Sequence, residues 1–197
     1  MMELDHLVVT GGDRDVAAAW VGRCLGAAPS GGGAHAVMGT HNRLWGLGPD
    51  YLEAIAPDPA VGAPGRPRWF ELDGREGAPA LTHWVARVPD IEAATAAAPG
   101  EWEVLDAERD GLRWRMAVAP SGRTPLGGAH PQMIQWLTEP AFERLPVQGR
   151  LTALLVICPE AEALRAALPL ADGRVRIEAG PRGMRAEFEI GGATRRL

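Results

Sequence analysis

The sequence predicts an α+β protein in which tandem β-α-β-β-β modules form a curled mixed sheet around a central cleft, followed by a partial third β-α-β-β module. The main observation is an internal repeat. "LDHLVVTGGDRDVAAAW" from Leu4 returns as "LTHWVARVPDIEAATAA" from Leu81 and again as "LTALLVICPEAEALRAA" from Leu151. Each copy passes from a run of β-branched and other apolar residues, through a turn, into an Ala-rich stretch of good helix formers. The second observation is that strand-like stretches follow each of the first two helices, which completes β-α-β-β-β twice.

In order, Leu4 begins a strand, and Asp13 is placed to cap the first helix, which ends near Gly26. Strands are then expected near His35 to Gly39, Asn42 to Leu47 and Tyr51 to Ala56, with Gly48, Pro49 and Asp50 as the last turn. Residues 1–60 form the first module, 61–79 a linker and 80–140 the second module. Trp69 and Phe70 suggest a linker that is packed down. The second module repeats the plan: Leu81 opens a strand, Asp90 caps a helix, and strands follow at Glu101 to Glu108, Leu112 to Ala119 and Gln132 to Leu137. The third unit, 150–197, has its strand and helix, then "RVRIEAG" and "MRAEFEIGG", with no further strand expected.

Composition narrows the function. At 197 residues, with 46% hydrophobic and 23% charged, the chain reads as folded and globular. A net charge of -5 with scattered arginines argues against nucleic acid and for a small-molecule substrate. No apolar run reaches membrane-spanning length and no signal-like leader precedes Leu4, so a cytoplasmic protein without a membrane partner is expected. Cys24 and Cys158 stand alone in apolar stretches and read as structural.

Side chains alternate along a strand, so Leu4, His6 and Val8 share one face. If two equivalent sheets bury such faces against each other, His6 and Glu53 of one meet His83 and Gln135 of the other, Gln135 being matched to Glu53 by setting "MIQWLT" against "YLEAIA". Two imidazoles, a carboxylate and an amide oxygen suit a divalent metal, Mn, Fe, Ni, Co or Zn, with open positions for substrate. Glu53 is the candidate catalytic group, a carboxylate able to move a proton. In the third copy the histidine position is Ala153, which fits a unit with no partner across that site. Candidates for substrate contact are His41 and Asn42 in "GTHN", Arg87 on the parity of His83, His130 in a Gly-rich loop, and Trp136.

"LDHLVV", "GTHNRLWGLGPDYLEAIA" and "PQMIQW" together resemble the glyoxalase-like domain family of the glyoxalase/bleomycin resistance/extradiol dioxygenase superfamily, the vicinal oxygen chelate proteins. The resemblance covers nearly the whole chain and implies paired β-α-β-β-β modules. It also implies metal ligands on the first and last strands of each module, which fall on His6, Glu53, His83 and Gln135. The implied activities are those of lyases, isomerases or dioxygenases on oxygen-rich substrates. Gln135 departs from the usual glutamate and removes a charge from that set.

Two other readings stand beside this one. The same cleft suits a metal-free protein that binds or sequesters a small molecule between tryptophans. Alternatively, the third unit mediates a homodimer, which predicts a mass that depends on concentration.

Overall fold

The computed structural model describes residues 1–170 and 172–197. The first module contains β1 (Glu3–Thr10), α1 (Arg14–Leu25), β2 (Gly31–His35), β3 (Thr40–Gly46) and β4 (Tyr51–Pro57). The second contains β5 (Ala80–Arg87), α2 (Ile91–Ala97), β6 (Glu103–Arg109), β7 (Leu112–Val118), a single turn α3 (Pro125–Gly128) and β8 (Gln132–Trp136). The third unit contains β9 (Gly149–Cys158), α4 (Ala161–Ala167), β10 (Val175–Ala179), β11 (Gly183–Ile190) and a further four-residue strand, β12 (Ala193–Arg196).

Local chemistry sets the helix starts. Asp13 accepts the Val16 amide at 2.8 Å and Asp90 accepts the Ala93 amide at 3.0 Å, each satisfying a donor that the first helical turn leaves free. Gly26 ends α1 at φ 70°, where a side chain would be strained.

The first eight strands form one sheet in the order β2-β3-β4-β1-β5-β8-β7-β6. β1 is parallel to β4 and antiparallel to β5, so the two modules join through their first strands. The sheet curls until its two edges meet: Arg109, at the end of β6, donates to His35 Nε2 of β2 at 3.0 Å and to Asn42 Oδ1 of β3 at 3.2 Å. A Cβ on Gly33 would lie 2.7 Å from the Arg109 side chain, so glycine there leaves room for the arginine bridge. This also corrects the expected position of the second strand. It is Gly31–His35, because glycines that read as turn formers make room for Arg109, while Ala36 to Gly39 form the turn.

The concave interior is apolar, with Val8, Ile55, Trp69, Phe70, Trp114 and Ile134 among its buried residues. The second sheet, formed by the third unit and ordered β10-β9-β11-β12, packs Leu154, Val156 and Phe188 with Leu4, Leu7, Val9 and Trp84 on the convex side. Ala153 points away from that packed face, because alternation opposes it to Leu154. Arg174 ties the third unit to the β3–β4 turn through Asp50 at 2.5 Å. No helix among the described residues is long and apolar enough to cross a membrane.

The linker does not skirt the cleft but enters it. Trp69 and Phe70 are 3% and 2% exposed, and Phe70 and Glu71 take φ of 59° and 52°, a left-handed turn uncommon outside glycine. Phe70 is therefore the plug of the concave face. Phe70→Ala is expected to lower stability by about 3–5 kcal/mol in urea unfolding, the usual cost of emptying an aromatic core position.

Candidate functional site

Two polar clusters face the concave side, one on each side of Phe70. The first centres on His6. A shift in the β1–β5 register between Leu4 and His6 turns both Asp5 and His6 inward. Asp5 Oδ1 lies 2.6 Å from His6 Nδ1, while its Oδ2 accepts from Trp136 Nε1 at 2.9 Å. A carboxylate only accepts, so Nδ1 carries a proton, and the neutral tautomer this selects has its lone pair on Nε2. That Nε2 lies 3.6 Å from Glu53 Oε2. Glu53 Oε1 accepts from Asn42 Nδ2 at 2.5 Å, and His6 stacks on Tyr51 with ring centres 4.4 Å apart. Trp69, Trp114 and Trp136 close the surroundings, leaving a cavity of about 30 Å³, room for a water.

The second cluster centres on His83, which occupies the position in its repeat that His6 occupies in the first. Its neighbour is Thr82 where the first repeat has Asp5. His83 Nε2 lies 3.2 Å from Glu71 Oε2 and Nδ1 lies 2.9 Å from Thr82 Oγ1. Side-chain hydrogen bonds from His83 and Arg182 outweigh burial and draw the Glu71 carboxyl down to about 2, so it is ionised and accepts. Burial pushes the His83 imidazole below its ordinary value, so it is neutral. The proton therefore sits on Nε2, and Nδ1 accepts from Thr82. Thr82 in turn accepts from Thr10 at 2.9 Å, and Thr10 from Arg75 at 3.1 Å. The two equivalent histidines thus hold opposite tautomers because one follows an acceptor and the other a hydroxyl that can donate.

The four ligands expected from the sequence do not assemble. Among the described residues no group of three or more His, Cys, Asp or Glu is arranged to hold a metal ion. His6 and Glu53 meet; His83 faces Glu71 and Arg182. Gln135 lies on the opposite face, where its Oε1 accepts the Ile91 amide at 3.1 Å and its Nε2 donates to Pro89 O at 2.9 Å. The register gives the reason. Val8 pairs with Glu53, and its repeat counterpart Val85 pairs with Gln132. Gln132, three positions earlier than the sequence match placed it, is the counterpart of Glu53. It is 1% exposed, and neither of its amide atoms has a hydrogen-bond partner. Alternation puts Gln132 and Gln135 on opposite faces, and the register decides that Gln132 is the one facing inward.

Asn42 and Trp136 line the His6 cavity. His41 does not; its Nδ1 lies 3.8 Å from Asp58. Arg87 bonds Glu3 at 2.8 Å and lies over Phe142, away from both clusters. His130 is buried beside Trp102, with Nδ1 donating to Pro131 O at 2.8 Å. The sequence reading missed Asp5, His35, Glu71, Arg109 and Arg182. Asp5 alone carried a local signal, adjacency to His6; the others arrive from the linker, strand ends and the third unit.

For a divalent ion, His6 Nε2 and Glu53 Oε2 fit as donors, since two ligands each about 2.1 Å from one ion can stand this far apart. Asp5 supplies the outer carboxylate that such a histidine requires. The orphaned amide of Gln132 is a further donor on the concave side.

Gln135→Ala should cost about 1 kcal/mol of stability, the usual loss for a helix cap, and leave metal binding unchanged. Gln132→Met should raise stability by about 1 kcal/mol, because it removes a buried unpaired amide; equilibrium denaturation checks both. Burial also depresses His35, reinforced by the Arg109 charge, and burial depresses His130. Below about pH 6.5 the unfolded chain takes protons that the folded one refuses, so stability should fall from pH 7 to pH 5.5. His35→Gln should flatten that fall in urea midpoints measured across the range.

A family model described as a glyoxalase-like domain matches residues 4–171. No protein of curated function matches the sequence. A hypothetical protein from Staphylococcus aureus shares the fold at 16% identity and TM-score 0.66, over 100% of this chain and 98% of its own. Methylmalonyl-CoA epimerase from Mycobacterium tuberculosis is similar at 19% identity and TM-score 0.44, over 68% of this chain and 85% of its own. The Streptomyces coelicolor epimerase, in complex with 2-nitronate-propionyl-CoA, is similar at 13% identity and TM-score 0.46, over 68% and 97%. With the family model covering most of its length, the chain belongs to the glyoxalase-like domain family.

Proposed function

We propose that the protein is a divalent-metal-dependent lyase, isomerase or dioxygenase that acts on a small oxygen-rich molecule at His6 and Glu53. The observation that carries this reading is the line Asp5–His6–Glu53: an imidazole locked by a buried carboxylate, with its free nitrogen 3.6 Å from a second carboxylate. A bound ion there would polarise a substrate oxygen and stabilise developing negative charge. His6 and Glu53 would hold it, with His83 and Gln132 as their counterparts in the second module.

The remaining residues supply position and dryness. Asp5 holds the His6 ring so that Nε2 faces Glu53. Asn42 fixes one Glu53 oxygen and leaves the other toward His6, where it would hold an ion or, released from it, accept a proton from a bound substrate. Trp69, Trp114 and Trp136 exclude water and offer flat apolar surfaces to a planar ligand. The Arg109 bridge between the sheet edges would have to yield for a molecule larger than water to enter this cavity.

A second reading, a metal-free binding protein, draws on the roomier cleft of about 520 Å³ beside His83, where Arg75 and Arg182 face the space together with His83 and Glu71. Metal analysis of protein purified without a His-tag separates the two. The enzyme reading expects stoichiometric metal that is lost on His6→Ala plus Glu53→Gln, and affinity about 10–100-fold weaker on Asp5→Asn, the usual effect of removing an outer-shell carboxylate. Protein with no bound metal, and no thermal stabilisation on adding Mn, Ni, Zn or Fe, would remove it.

A further inference from the structure

We propose that the cleft between the start of β5 and the start of β11 binds the carboxylate of a small organic acid, in the place now held by the side chain of Glu71. Two hydrogen-bond donors and a further cation, from three separate parts of the chain, converge on that one carboxylate. Arg182 Nη2, from the third unit, donates to Oε2 at 2.7 Å. His83 Nε2, from β5, lies 3.2 Å from the same oxygen. Arg123 Nε, from the loop ahead of β8, lies 3.4 Å from Oε1.

The Arg182 position is built into the backbone. Its guanidinium lies against Gly128, donating to the carbonyl at 3.2 Å, and a Cβ on that residue would come 2.6 Å from Arg182 Cζ. Gly128 also takes φ 86°, so no other residue suits the place. The group that fills the donors is held less naturally. Glu71 follows Phe70 in the left-handed turn, and its side chain is 32% exposed at the mouth of the cleft. An anion from solution could therefore displace it without unpacking the core.

The space beyond the carboxylate fixes the ligand class. The cleft holds about 520 Å³, with Phe70, Leu81 and Met184 as apolar wall and Arg75 as a second cation in its lining. A compact apolar acid fits that lining: its carboxylate exchanges for that of Glu71 while its body covers the wall. The inference stands apart from the metal reading, because Phe70 separates this cleft from His6 and Glu53 and its donors need no ion.

The test is isothermal titration of the full chain with benzoate, butyrate and inorganic phosphate, in buffer stripped of metal by chelating resin. Removing the internal competitor by Glu71→Gln should tighten benzoate at least tenfold over the unaltered protein, and Arg182→Gln should weaken it at least tenfold. Phosphate should bind more weakly than benzoate throughout. Thermal melting checks that each variant folds; if Arg182→Gln does not, Arg182→Lys keeps the charge, loses the fork and should still weaken benzoate several-fold. Unchanged or weaker benzoate binding by Glu71→Gln, unchanged binding by the folded Arg182 variant, or tighter binding of phosphate would each overturn the proposal. Binding retained without metal, whatever the metal analysis gives, keeps the two readings distinct.

Discussion

The antiparallel pairing of β1 with β5 is the constraint on which the rest depends. It joins two modules through their first strands, so one continuous eight-stranded sheet curls around a shared interior instead of two sheets burying separate cores. Both histidines of the repeat then face the same side. The register shift at Asp5 adds a second inward side chain next to His6, which a regular ladder would have sent to the convex core among Leu4 and Leu7. A buried carboxylate in that position is tolerable because His6 and Trp136 satisfy its two oxygens.

The difference between Asp5 and Thr82 beside the two repeat histidines divides the interior chemically. Asp5 accepts and Thr82 donates, so equivalent imidazoles present a lone pair in one half and an N–H in the other. The difference follows from hydrogen-bond capacity alone: a carboxylate has no proton to offer an imidazole, and a hydroxyl does. One half is thereby suited to bind a cation or take a proton, and the other to donate toward an anion.

The linker and the third unit complete that division. Phe70 separates the clusters and Glu71 reaches His83, while Arg182 enters from a sheet packed on the convex side. The second sheet is thus more than ballast on Leu4, Leu7 and Trp84. Its β9 counterpart of His6, Ala153, points away from the shared core.

The sequence by itself determined the repeated strand-helix units, the capping of α1 and α2 by Asp13 and Asp90, and the inward placement of His6 and Glu53. These are local matters of propensity, capping and alternation, written in adjacent residues. Gln135 was misplaced because similarity of short strings ignores strand parity; only the β5–β8 register identified Gln132 as the counterpart of Glu53. The partners of His83, the Arg109 closure and the intrusion of Phe70 and Glu71 were decided by tertiary structure. Their contacts join residues 12 to 111 positions apart, and nothing in a local pattern encodes which distant side chain will fill a space that only the folded sheet creates.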